Sequence, residues 1–144
     1  MCLALAFTAA ADAKAKDCLG DGAVYRIDGA EGFELRFKKA AEPYAASDLE
    51  AVLVTPQRSL TFSMTASNGY SMNYLLPNEV KEGEEESFRL YGFDETLAAA
   101  ELPQSGRPAP RYFFTPDLGL ALWYAGGQRQ YLPAEMWRLQ PCGG

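Results

Sequence analysis

A chain of 144 residues with 48% hydrophobic and 22% charged side chains has the size and balance of one globular domain, unlike collagen, a coiled coil or a disordered polymer. Lys and Arg total 13 against 19 Asp and Glu, a net charge of −6, so no basic stripe serves a phosphate backbone and nucleic acid is not an expected partner. Histidine is absent, which removes Ser/His/Asp and Cys/His nucleophiles, HExxH zinc sites and any imidazole proton shuttle; neither a metal nor a cofactor is implied.

The chain starts with an apolar run from Cys2 to Ala11, far shorter than the roughly 20 residues that span a bilayer. It has the character of a secretory h-region, and Ala11-Asp12-Ala13 supplies small residues at the positions a signal peptidase reads. Ala9-Ala10-Ala11 is a second choice, and no Lys or Arg precedes the run. Residues 1–13 are therefore expected to be the remnant of a signal peptide, with 14–144 a single β-domain and no membrane span in the mature chain. The competing reading makes residues 3–11 a buried helix or strand.

Loss of Cys2 with the leader leaves Cys18 and Cys142, an even count that suits an oxidising compartment, periplasmic or secreted. Neither C-x-x-C spacing nor further thiolates point to redox or metal chemistry. A bridge between the two would staple the first strand to the last. Closing a loop of more than about a hundred residues is worth on the order of 4–5 kcal/mol in the chain-entropy account.

Beyond the leader, short stretches rich in Val, Tyr, Phe, Leu and Thr are bounded by Gly, Pro, Asn or Asp. The strands expected are 23–27, 33–38, 49–55, 59–66, 70–76, 87–93, 111–115 and 119–125, with a ninth between Tyr131 and Leu139. Such a series predicts an all-β fold, a single antiparallel β-sandwich or small β-barrel of about 8–9 short strands with one or two short helical turns. In 33–38, Phe33, Leu35 and Phe37 share one face and Glu34, Arg36 and Lys38 the other, so that strand should be half buried. From Ala40 to Ser47 an Ala-rich loop containing Pro43 is expected.

The hairpin around Ser67-Asn68-Gly69 allows a register argument, because turn length decides which residues face each other. A three-residue loop with Gly69 left-handed pairs Ala66 with Tyr70, Met64 with Met72, Phe62 with Tyr74 and Leu60 with Leu76, and gathers the apolar side chains on one face. The core is then expected to receive Phe62, Met64, Met72 and Tyr74. Further on, Asp94 is placed to cap a short helix over Glu95 to Glu101, PQSGRPAP reads as a connector, and Pro133 to Trp137 as a helical turn.

The acidic run from Glu79 to Glu86 lacks the Asp/Asn alternation of a calcium loop and reads as a solvated hairpin tip. Catalysis without histidine would need paired carboxylates, for which Glu34, Glu50, Asp117 and Glu135 are available but unselected, or a Ser/Lys dyad from Ser59 or Ser63 with Lys38 or Lys39. A carboxylate-dependent hydrolase is thus the weaker reading, and the chain is expected not to be an enzyme.

The most unusual composition lies between residues 112 and 137, where Tyr112, Phe113, Phe114, Trp123, Tyr124, Tyr131 and Trp137 stand beside Arg111, Arg129 and Arg138. Many of these rings must fill a core, yet alternation along strands prevents all from pointing inward. Trp123, Tyr124, Arg129, Tyr131 and Trp137 are the expected binding residues, because rigid rings bury area at low entropic cost. The functions that fit are an exported binding or inhibitor module, a carbohydrate or small-ligand binder, or a purely structural envelope role. With its acidic surface, the expected partner is a cationic envelope protein, for instance a basic cell-wall hydrolase, or else a glycan.

Protein isolated from its own cells should have an intact mass that begins at Lys14 or nearby, with Cys18 and Cys142 alkylated only after reduction. Retention of residues 1–13 with all three thiols reactive without reductant would place the chain in a reducing compartment.

Overall fold

Alternation of apolar and polar side chains organises the sheet. A computed structural model of the chain describes residues 18–44, 46–67, 72–79, 86–124 and 129–142. The expected leader, the Gly69 turn, most of the acidic run and residues 125–128 lie outside them.

Among the described residues nine strands and one helix follow in order: β1 (Val24–Arg26), β2 (Glu34–Tyr44), β3 (Ser47–Val54), β4 (Ser59–Ala66), β5 (Asn73–Pro77), β6 (Phe88–Phe93), β7 (Ala99–Ala100), β8 (Tyr112–Phe114), α1 (Leu118–Tyr124) and β9 (Met136–Leu139). Every pairing is antiparallel. Neighbours run β1-β2-β3-β4-β5-β6-β8-β9, β9 returns to β1, and β7 adds a short strand to β6. Of the two all-β architectures expected, the chain adopts the closed barrel of eight strands, which leaves no open sheet edge around its circumference.

Side chains fill the barrel. Leu35 and Phe37 of β2 point inward and Phe33 packs against the same core, as their alternation requires. Tyr25, Phe37 and Phe113 meet ring to ring with centroids 4.9 to 5.5 Å apart, and Leu53, Met64, Leu75, Leu90 and Trp137 fill the space around them. Tyr25 donates its hydroxyl to the Pro110 carbonyl at 2.6 Å, which satisfies the one polar atom in that aromatic cluster. Burial raises the Tyr25 hydroxyl far above the ordinary tyrosine range, so it stays protonated.

One end of the barrel is tied where the chain before β1 meets the chain after β9. Cys18 and Cys142 form the expected pair, with Cα atoms 5.6 Å apart. The 94–110 segment folds across this end and is firmly bonded. Ser47 donates its hydroxyl to the Pro103 carbonyl, Gln104 bridges Ala46 and Asp48, the Gly20 amide donates to the Arg107 carbonyl, and the Ala109 amide donates to the Cys18 carbonyl. The opposite end is plugged by α1 through Leu118 and Leu122.

Several local expectations are corrected. Where a strand over 119–125 was expected, residues 118–124 are helical, because Leu118 and Leu122 lie one turn apart and plug the barrel end together. The alternating Leu-Gly-Leu-Ala-Leu run satisfies a period of 3.6 as well as a period of 2. The Ala40–Ser47 stretch is mostly strand: β2 continues to Tyr44 through an irregular register after Lys39, and Pro43 is tolerated near the strand's end. No helix follows Asp94, whose carboxylate accepts from the Thr96 backbone, the Thr96 hydroxyl and the Ala98 backbone in a tight turn. The Pro133–Trp137 stretch runs into β9 rather than turning as a helix.

The hairpin register also differs. Met64 faces Leu75, Thr65 faces Tyr74, and the Ser67 amide donates to the Met72 carbonyl, which leaves four residues in the connection rather than three. Phe62 and Met64 are in the core as expected, but Leu75 replaces Met72 and Tyr74. The deciding contact is not within the hairpin. Pairing with β6 sets Leu75 opposite the buried Phe88 and turns that face of β5 inward.

Removing a ring from the filled interior should be costly. Phe37→Ala is expected to lose about 3–5 kcal/mol of unfolding free energy in urea titrations, whereas Tyr131→Ala on the outside should change it by no more than about 0.5 kcal/mol.

Candidate functional site

With the interior filled, large apolar side chains that reach solvent are confined to the surface, and they are concentrated at the α1 end. Leu120, Trp123 and Tyr124 project from the helix, with Tyr131 and Met136 on the chain that follows. Tyr124 and Tyr131 are 73% and 70% exposed and Trp123 is 38% exposed. The guanidinium of Arg129 lies over the Trp123 ring, 5.6 Å from its centroid.

The side chains beneath explain why these rings point outward. Pro116 has no amide hydrogen, and the Asp117 carbonyl accepts the Ala121 amide as the first helical bond. Glu135 accepts the Gly119 amide at 2.7 Å; a Cβ at Gly119 would lie 2.9 Å from the same carboxylate oxygen and would push the end of the Glu135 side chain aside. After the helix, Gln130 is buried. Its side chain donates to Thr55 Oγ1 at 2.8 Å and accepts from Arg58 Nε at 3.3 Å, while its backbone amide donates to the Leu122 carbonyl. With Gln130 and Leu132 inward, alternation turns Arg129 and Tyr131 outward.

Trp137 is corrected from a candidate binding residue to a core residue. It has 0% of its surface exposed, and its indole N–H donates to Thr115 Oγ1 at 3.0 Å. It stands on β9 between the outward-facing Met136 and Arg138, so the period of 2 sends it into the barrel. Trp123, Tyr124, Arg129 and Tyr131 remain at one end of the molecule. Leu120 joins them; reading 119–125 as a strand did not single it out, and only the helix separates it from the buried Leu118 and Leu122.

Of the possible acid/base residues, the four carboxylates, Lys38 and Ser63 are engaged by other groups. Glu34 lies between Arg26 and Arg36, and their guanidinium hydrogen bonds hold its carboxyl below the usual range. Asp117 forms a two-point pair with Arg89, at 2.7 and 2.9 Å, and also accepts the Arg89 amide; these bonds lower its pKa despite partial desolvation. Glu50 pairs with Lys38, and Ser63 donates to Asn78. Both resolved shifts in this set favour the charged carboxylate, the reverse of what a general acid requires.

Among the described residues no group of three or more His, Cys, Asp or Glu is placed to hold a metal ion, and no helix is long and apolar enough to cross a membrane. A search of family models finds no match for the chain, and no curated protein or solved structure is significantly similar to it.

The Arg89–Asp117 pair ties β6 to the start of the helix. The folded pKa of Asp117 is depressed, so its contribution is fully present above the unfolded value near 3.8 and is lost as pH falls through the lower folded value. Fluorescence of Trp123, read in a Trp137→Phe background, should therefore stay constant from neutral pH to about 4 and change only below it. Asp117→Asn should show the loosened signal already at neutral pH.

Proposed function

We propose that this chain is an exported binding module of the periplasm or extracellular space, and that it docks a cationic protein on the α1 end of its barrel. The observation that carries this reading is the gathering of Leu120, Trp123, Tyr124, Tyr131 and Arg129 at one end of a barrel whose interior is filled. Aromatic side chains and arginine dominate the energetics of protein interfaces, and here they stand on a helix and a bonded segment that need little reordering on contact. A net charge of −6 favours encounter with a basic partner, and the cysteine pair suits an oxidising compartment.

A glycan is the second reading. It rests on Arg129 over Trp123, which fixes one ring beside two highly exposed tyrosines, the kind of platform on which a sugar face stacks.

The two readings separate in one set of titrations. For a protein partner, a purified basic cell-wall hydrolase should bind the folded chain at low salt, more weakly at high salt, and at least about tenfold more weakly to a Trp123→Ala/Tyr124→Ala variant with an unchanged melting midpoint. For a glycan, cell-wall oligosaccharides should give a saturable change in Trp123 fluorescence while the hydrolase gives none. Equal hydrolase binding by wild type and the double variant, with flat glycan titrations, would refute both.

A further inference from the structure

The end of the barrel opposite α1 holds a cleft of about 640 Å³, the size of a small-ligand site. Its walls are fixed. Cys18 and Cys142 line it from the bridged segments, and residues 100–111 line it from the connector, which the Gly20 and Ala109 amides hold to the chain near Cys18. Leu102, Pro108, Pro110, Leu139 and Pro141 give the lining an apolar body.

The charged residues of the lining are Asp94, Glu95, Glu101, Arg107 and Arg111, and most of them are already satisfied. Asp94 accepts from Thr96 and Ala98, and Arg107 pairs with Glu101 at 4.0 Å. Arg111 and Glu95 remain, and among the described residues neither side chain has a hydrogen bond or an ion pair. The Arg111 backbone is fixed between β6 and β9, since its amide donates to the Phe93 carbonyl and its carbonyl accepts the Leu139 amide. By the period of 2 it shares the inward side of the pleat with the buried Phe113 and Thr115, so its side chain leaves through the barrel mouth into the cleft. There it is half-buried, and its charge acts on the buried Tyr25 hydroxyl. A guanidinium partly withdrawn from water and without an acceptor is unfavourable by itself.

We propose that this cleft binds a small zwitterion of the amino-acid or short-peptide class, with its carboxylate on Arg111, its ammonium facing Glu95 and its apolar side chain against the leucines and prolines. The cleft offers one unpaired cation and one unpaired anion that do not reach each other, and a ligand carrying both signs completes both. Guanidinium matches a planar carboxylate in a two-point contact. A free phosphate fits less well, because it would find a single unpaired cation with Asp94, Glu95 and Glu101 around it. This site is separate from the α1 surface and needs neither its rings nor a protein partner.

The test is an NMR titration of the isotopically labelled full chain with L-alanyl-L-leucine, its C-terminal amide, its N-acetyl form and inorganic phosphate. The free dipeptide should give saturable amide shifts at residues 100–111 and 139–142 and none at Trp123 or Tyr124. The amide and the acetylated form should each bind at least about tenfold more weakly. Arg111→Gln should bind the dipeptide and its amide alike, at an unchanged melting midpoint because the side chain has no partner to lose. Arg111→Lys, which keeps the charge without the fork, should retain part of the carboxylate preference. Glu95→Gln, at an exposed position, should independently remove the preference for the free ammonium over the acetylated form. Equal binding of the dipeptide and its amide by the wild type would overturn the proposal. So would shifts confined to Trp123 and Tyr124, phosphate binding without dipeptide binding, or no shift with any of these compounds. A failed hydrolase titration at the α1 end would leave all of these outcomes unchanged.

Discussion

Tyr25, Phe37 and Phe113 close the middle of the barrel by ring-to-ring contact, and the rest of the structure is arranged around that contact. An eight-stranded barrel is just wide enough either to be filled by its own side chains or to hold one small ligand. Three strands each contribute a ring here, and Trp137 from β9 and Leu53 from β3 occupy more of the space. The interior is spent on stability, so chemistry directed at other molecules is left to the two ends and the outer faces.

The two ends are built by different means. At the α1 end, a short helix is held from below by buried polar contacts: Trp137 with Thr115, Gln130 with Thr55 and Arg58, and Glu135 with the Gly119 amide. Each buried polar atom has a partner, and among the described residues none is left without one. These contacts fix which side of each short segment faces in, and the exposed rings are the opposite sides of the same segments. At the other end the bridge between Cys18 and Cys142 joins the chain before β1 to the chain after β9, and the 94–110 connector is bonded to β3 and to the chain near Cys18. That bonding makes a long connector part of the rigid body.

Electrostatics reinforces this division. The outer barrel faces carry paired charges, with Glu34 between two arginines and Lys38 beside Glu50. Pairs of this kind on exposed faces contribute little to stability and leave that face with one more positive than negative charge among these residues. Elsewhere Glu95 is exposed and has no ion pair among the described residues. The chain has no histidine, and the resolved carboxylate shifts, at Asp21, Glu34, Asp94 and Asp117, are all downward because hydrogen bonds favour the charged form.

Much of the fold could be read from residue order. Phe33, Leu35 and Phe37 alternate cleanly because β2 has one wet face and one dry one, and β4 occupies residues 59–66 as its pattern requires. The pairing of Cys18 with Cys142 followed from counting cysteines, and the concentration of rings and arginine late in the chain was visible in composition alone. What one-dimensional pattern left undecided were segments whose inward face is chosen by a distant partner. Leu75 turns inward because β6 brings Phe88 opposite it. Residues 118–124 coil because the barrel end needs a plug that Leu118 and Leu122 supply, although their spacing suits a strand equally well. Trp137 is core and Trp123 is surface for the same reason: burial belongs to the closed barrel, and the chain acquires an inside only when β9 meets β1.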